Sequence, residues 1–258
     1  MKHESKKPES MKPDSMKHKN DLYGDDITQT ADEDHPPAIP AATIVLLREH
    51  QGNSEVLMLH KTAEIDFGGL WVFPGGKIDD KDYAGGDDDH VAARNAAVRE
   101  TVEEAGITIP GDDFIYFSHW TPPPKPGRRY ATWFFISSTE DDHDISIDGD
   151  EIQNHQWINP GDALLRHQTG EIGLAAPTWV TLYQLSRFDT ISETLTQLDQ
   201  REPRVYQTHM GKNAEGLRTT MWTGDAGYDD WDATISGDTH RLIMSPDGFE
   251  FHHSAVEY

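Results

Sequence analysis

The sequence contains no cysteine, which excludes disulfides, thiolate metal sites and cysteine nucleophiles. No apolar run comes near the roughly 20 residues that a membrane-spanning helix needs. The opening Met1-Lys2-His3-Glu4-Ser5 has none of the apolar character of a secretory leader, so the default expectation is a cytoplasmic protein. Positive charge is also scarce: 22 Lys and Arg stand against 46 Asp and Glu, a net charge of −24. Six of those basic residues fall in the first 20 positions, so the rest of the chain is more acidic still. Such a body repels phosphate backbones and anionic lipids, so neither nucleic acid nor membrane is expected as a partner. There is no His-x-x-x-His pair, no Gly-x-x-x-x-Gly-Lys-Ser/Thr loop and no Gly-x-Ser-x-Gly elbow, which argues against zinc-protease, P-loop and serine-hydrolase chemistry.

What is present falls into two parts. Residues 1–40 are rich in Lys, Ser, Pro, Asp and Glu and read as a disordered tail. Residues 41–258 read as the folded region. Strands are expected at Ala41–Leu47, Glu55–His60, Trp71–Phe73, Phe114–Phe117, Tyr130–Ile136 and Ile152–Ile158. Gly75–Asp89 reads as a loop, and a helix is expected from about His90 to Ala105, ending at Gly106. Pro160 opens a short helix, and Pro177 a longer one that reaches about Leu198. Further strands are expected at Val205-Tyr206, Leu217–Trp222, Arg241–Met244 and Phe249–His252. Strands mixed with helices but without regular βαβ alternation indicate an α+β fold.

The chemistry concentrates in Gly75-Gly76-Lys77 and in Arg99-Glu100-Thr101-Val102-Glu103-Glu104-Ala105-Gly106. Glu100, Glu103 and Glu104 lie at helical neighbour positions, where like charges destabilise a bare helix unless a cation compensates them. A hard divalent ion held by carboxylate oxygens meets that need. On a helical wheel, Val91, Val98, Val102 and Ala105 gather on one side, which is expected to pack on the sheet. Ala93, Ala96, Ala97, Glu100 and Glu104 gather opposite, where small alanines would leave room for a loop and a metal-bound substrate.

Trp71-Val72-Phe73-Pro74-Gly75-Gly76 followed by Arg99-Glu100-x-x-Glu103-Glu104-x-Gly106 resembles the Nudix hydrolase signature. Thr101 stands where an aliphatic residue is usual, the upstream acidic position falls on Asp82 instead of a glutamate, and an insertion within Lys81–Asp88 lengthens the loop. The resemblance implies an α/β/α sandwich with a mixed β-sheet, here with a C-terminal helix and strand extension. It implies Mg²⁺ or Mn²⁺ held by Glu100, Glu103, Glu104 and a backbone carbonyl near Gly75 or Gly76, with Arg99 orienting the glutamates. Glu103 and Glu151 are the candidates for the general base. Arg128 and Arg129 are the candidates for binding substrate phosphate.

Trp120-Thr121-Pro122, Arg128–Phe135 and Ala176–Leu182 are similar to segments of the peroxisomal coenzyme A diphosphatase-type Nudix proteins. Their Leu-Thr-x-Arg-Ser pattern and terminal Ser-Lys-Leu are absent here. The expected activity is hydrolysis of a diphosphate linkage in coenzyme A, an acyl derivative, or a nucleoside diphosphate joined to another moiety. The alternative is a non-catalytic nucleotide-binding module, which would normally have lost box glutamates. A homodimer is compatible with the resemblance.

Overall fold

A twelve-residue strand with seven consecutive buried positions, β1 (Ile39–His50), sits in the middle of the sheet, as its run of Ala, Ile, Val and Leu requires. The computed structural model describes residues 36–63, 66–84, 86–124, 128–139 and 144–258. The expected tail lies outside the described residues up to position 35, and Ile39-Pro40 belong to β1 instead. A two-residue turn at Gln51-Gly52, both with positive φ, returns the chain into β2 (Asn53–Lys61).

The β1–β2 hairpin splays apart, and the next segment fills the wedge. β3 (Trp71–Val72) pairs with β2, and β4 (Gly75–Lys77) pairs with β1, placing Gly76 opposite Ala42. Gly75–Lys77 is therefore strand where a loop was expected. The pairing partner is distant in sequence, so local composition could not reveal it. Within the expected loop, a short 3₁₀ turn also forms at Asp80–Tyr83.

Helix α1 (Asp89–Ala105) is capped by Asp88, whose carboxylate accepts from the His90 and Val91 amides, and it stops at Gly106 with φ +69°. Its buried face is largely the reverse of the expected one, although Ala105 of the expected face is buried and Val98 is partly so. Ala92, Ala93, Ala96, Ala97 and Ala105 are buried against the sheet, whereas Val91 and Val102 are 42% and 43% exposed. Ala93, Ala96, Ala97 and Ala105 join Ala42, Ile44, Leu46, Leu57, Leu59 and Phe135 in one hydrophobic cluster. Small side chains let the helix backbone approach β1 closely, which valines at those positions would prevent. Glu100 and Glu104, at the end of the same face, are thereby pressed against the β4 backbone.

The sheet continues through β5 (Ile115–Thr121), β6 (Tyr130–Ser138), which runs parallel to β1, and β7 (Ile152–Ile158), which lies against β2. The helix expected from Pro177 to Leu198 is two helices, α3 (Ala176–Leu185) and α4 (Ile191–Asp199), preceded by α2 (Pro160–Gln168). The break falls where Thr190 caps α4 by accepting from the Glu193 amide. After β8 (Arg204–Gln207), parallel to β5, come β9 (His209–Lys212), β10 (Arg218–Met221), β11 (Arg241–Ser245) and β12 (Gly248–His252), which form a separate four-stranded antiparallel sheet. The mixed sheet with its helices and C-terminal extension is the expected fold class. One apolar cluster joins Val45, Phe117 and Phe134 of the larger sheet to Trp179, Tyr206, Trp222, Leu242 and Tyr258.

Within that cluster, His240 Nδ1 lies 2.8 Å from the Thr223 carbonyl, which can only accept, so Nδ1 carries the proton. Nε2 therefore accepts from the Tyr258 hydroxyl at 2.7 Å, and the Tyr206 hydroxyl donates to Tyr258 at 2.8 Å. Burial pushes the His240 pKa down to about 4, with the Thr223 carbonyl opposing. The unfolded chain therefore takes up a proton between about pH 6.5 and 4 that the folded chain excludes. This contribution to stability is complete above pH 6.5 and is lost as pH falls through that window. Urea unfolding at pH 7.5 and pH 4.5 should show the stability difference between wild type and His240→Gln shrinking by about 3 kcal/mol at the lower pH.

Candidate active site

Three segments meet at the C-terminal end of α1: the last residue of β2, the β4 backbone, and the turn from Asp79 to Tyr83. Glu104 is the innermost group. Its side chain is 4% exposed, its Oε2 accepts from the Gly75 amide at 2.9 Å, and its Oε1 lies 3.2 Å from Lys61 Nζ. Burial pushes its pKa up to about 7. Lys61 and the Gly75 amide oppose that rise, and Glu100 adds to it. For Lys61, burial disfavours the charged form, but Glu104, Glu151 and Glu100 outweigh it and hold its pKa above the usual lysine value.

Glu100 occupies the space above Gly76, where any β-carbon would run into its carboxylate. A β-carbon on Gly75 would stand 2.7 Å from Thr43 Cα and closer still to the Ala42 carbonyl oxygen. Gly75→Ala should therefore push β4 off β1 and cost about 2 kcal/mol, read as a lowered urea midpoint without added metal.

Arg99 ties the parts together. Its Nε and Nη2 donate to the two Asp82 oxygens at 3.0 and 2.8 Å, and Nη2 also donates to the Lys77 carbonyl at 2.9 Å. Nη1 reaches Glu100 at 2.6 Å and Glu103 at 3.0 Å. Asp82 is buried and also accepts from the Asp79 amide at 2.8 Å. Burial works against the Asp82 carboxylate, but the Arg99 hydrogen bonds and the Asp79 amide hold its pKa below the usual aspartate value. Despite the longer loop, the acidic residue six positions after Gly76 meets the arginine in a two-pronged pair. For Glu100, burial raises the pKa against the pull of Arg99. Glu103 is half exposed, between Arg99 and Lys81 at 3.4 Å.

Among the described residues, no three His, Asp or Glu side chains are grouped closely enough to hold a metal ion as they stand. The glutamates are instead drawn to Arg99, Lys61 and Lys81. The donors nevertheless suit a hard divalent ion. They are carboxylate oxygens, and burial disfavours the charge of the innermost one, which a nearby cation opposes. What faces Glu104 from the glycine pair is the Gly75 amide, a donor.

Glu151 lies at the rim, 59% exposed, with Oε2 3.6 Å from Lys61 Nζ, so one ammonium links it to Glu104. Lys61 itself escaped sequence reasoning. A lysine ending a strand reads as solvated, and the sign to look for was a single cation placed just before the glycine-rich segment. Arg128 is exposed, 3.5 Å from Asp66, whose carboxylate also accepts from the Tyr130 hydroxyl. Arg129 donates to the Pro36 and Pro122 carbonyls at 2.7 and 3.5 Å, so it fastens the chain entering β1. No helix among the described residues is long and apolar enough to cross a membrane.

Comparison with known proteins places the chain in a family. A Caenorhabditis elegans protein named "Putative nudix hydrolase 7" is 25% identical over 189 residues, which cover 59% of this chain. The chain spans 61% of the length of that relative. The crystal structure of a NUDIX hydrolase from Alicyclobacillus acidocaldarius superposes with a TM-score of 0.56 at 22% identity, covering 64% of this chain and 99% of the other. Residues 37–177, more than half of the sequence and including every group of the carboxylate cluster, match the profile described as NUDIX domain, and the chain belongs to that family.

Proposed function

We propose that this protein is a divalent-metal-dependent hydrolase that cleaves a diphosphate linkage. The observation that carries this reading is Glu104. It is a buried carboxylate fixed by the Gly75 amide and Lys61, on the same helix end as Glu100 and Glu103. Glu100, Glu103 and Glu104 would hold Mg²⁺ or Mn²⁺. When bound, such an ion neutralises diphosphate charge and lowers the pKa of a coordinated water.

The chain's own residues supply positioning. Arg99 keeps Glu100 and Glu103 on one side of the helix end, and Asp82 keeps Arg99 in place. The Gly75 amide fixes the rotamer of Glu104. Glu103 and Glu151 have solvent-facing carboxylates and are the candidates to accept a proton from the attacking water. Arg128, two residues before β6, is the more available of the two candidate phosphate-binding arginines, since Arg129 is held by backbone carbonyls.

The substrate class we propose is coenzyme A, its acyl derivatives, or a nucleoside diphosphate joined to another moiety. The test is release of phosphate or nucleotide from a panel of such conjugates with Mg²⁺ and with Mn²⁺. Metal-dependent cleavage of at least one class is expected. Tight binding without turnover would overturn the enzymatic reading in favour of a nucleotide-binding module.

A further inference from the structure

The strand carrying Lys61 departs from regular pairing at that residue. His60 pairs with Asn154, whereas Lys61 pairs with Ile152, so Gln153 is an extra residue bulged out of β7. In an unbroken ladder Glu151 would lie opposite Ala63, two residues and roughly 7 Å beyond Lys61. The bulge halves that offset and sets Glu151 opposite Thr62: the Thr62 amide donates to the Glu151 carbonyl at 2.9 Å, and the Gln153 side chain donates to the Lys61 carbonyl at 3.3 Å.

As a result, one ammonium stands between two carboxylates of different character. Glu104, 3.2 Å away, is almost completely buried and has the Gly75 amide on its other oxygen. Glu151, 3.6 Å away, is largely in water. The lysine stem is itself mostly buried, with 12% of the side chain exposed. A charge this dry needs a partner, and so does the carboxylate it faces.

We propose that Lys61 is the resident counter-ion of Glu104 and that Glu151 is its second seat. When a divalent cation takes Glu104, the ammonium turns wholly onto Glu151, and the pocket never contains an unpaired buried charge. A lysine suits this exchange because its charge is a compact group on a flexible four-carbon stem, free of the planar fork that fixes an arginine. This inference rests on the metal-dependent reading above and goes beyond it, since it assigns Lys61 and the β7 bulge a role in regulating metal occupancy.

The test is titration of the full chain with Mn²⁺, read by the electron paramagnetic resonance of the free ion. Wild type, Lys61→Met, Glu151→Gln and the double variant are compared. Removing the competing ammonium should tighten Mn²⁺ binding about tenfold in Lys61→Met, while Glu151→Gln, which takes away the second seat, should weaken it about fivefold. In the Lys61→Met background, Glu151→Gln should change nothing. Equal effects of Glu151→Gln in both backgrounds, or weaker binding by Lys61→Met, would overturn the proposal while leaving a metal-dependent enzyme intact. A wild-type protein without any saturable Mn²⁺ site would overturn both. Lys61→Gln carries the same comparison if the methionine variant does not fold.

Discussion

Glu104→Gln is expected to lower turnover at least ~100-fold at saturating substrate and Mg²⁺, corresponding to about 2.7 kcal/mol of transition-state stabilisation. The substitution keeps the shape of the side chain. Its amide oxygen can still accept from the Gly75 amide, so β4 stays in place, and what disappears is the negative charge. Glu103→Gln should give a loss of similar size without any change at Gly75, because Glu103 faces only Arg99, Lys81 and solvent. The measurement is steady-state hydrolysis of whichever conjugate the wild type cleaves, with thermal melting of each variant in the absence of metal as the control for folding. Near-normal turnover in both variants would remove these glutamates from the proposed site.

Arg99→Met should unfold the protein more easily by about 4 kcal/mol, the cost of leaving a buried carboxylate without its cation. Asp82 is that carboxylate, and two of its three charge-compensating hydrogen bonds come from Arg99. With Arg99 gone, burial would be opposed only by the Asp79 amide and Lys81 and the Asp82 pKa would rise, so the deficit should be larger at pH 8 than at pH 4. Adding Asp82→Asn should recover about half of the loss, since a neutral amide tolerates the site better. Urea unfolding of the two variants at both pH values checks each part. The same pair of variants separates support from chemistry. Activity lost through Arg99→Met should not return in the double variant, because Glu100 and Glu103 are still released from the arginine.

Much of this arrangement was legible in the linear sequence. The glycine pair, the arginine and the three glutamates, and the stop at Gly106 are all local patterns. Three features were not local. Gly75–Lys77 became a strand because Ala41–Thr43 lay ready to pair with it. The valine stripe of α1 was read as the buried side because valine is the more hydrophobic residue. What decided the matter was the distance between helix and sheet, and only the alanine face could close it. Lys61 took its role from a bulge in a strand some ninety residues further on, where a one-residue change of register brought Glu151 alongside. Asp82 lies between these cases. Its spacing from Gly76 marked it, but the lengthened loop after it obscured its partner, and the pairing with Arg99 emerged only in three dimensions.

The apolar cluster that joins the two sheets bears on how the chain is made. The family-matching segment ends at Pro177, within the first turn of α3, yet its core is completed by Trp179, Tyr206, Trp222, Leu242 and Tyr258. At a synthesis rate of roughly 5–20 residues per second, the stretch from 178 to 258 takes about 4–16 s to emerge. During that interval Phe117, Trp120 and Phe134 have one another and Phe73 but lack Tyr206 and Trp222, so part of this aromatic surface stays open until β8 and the strands after it are made.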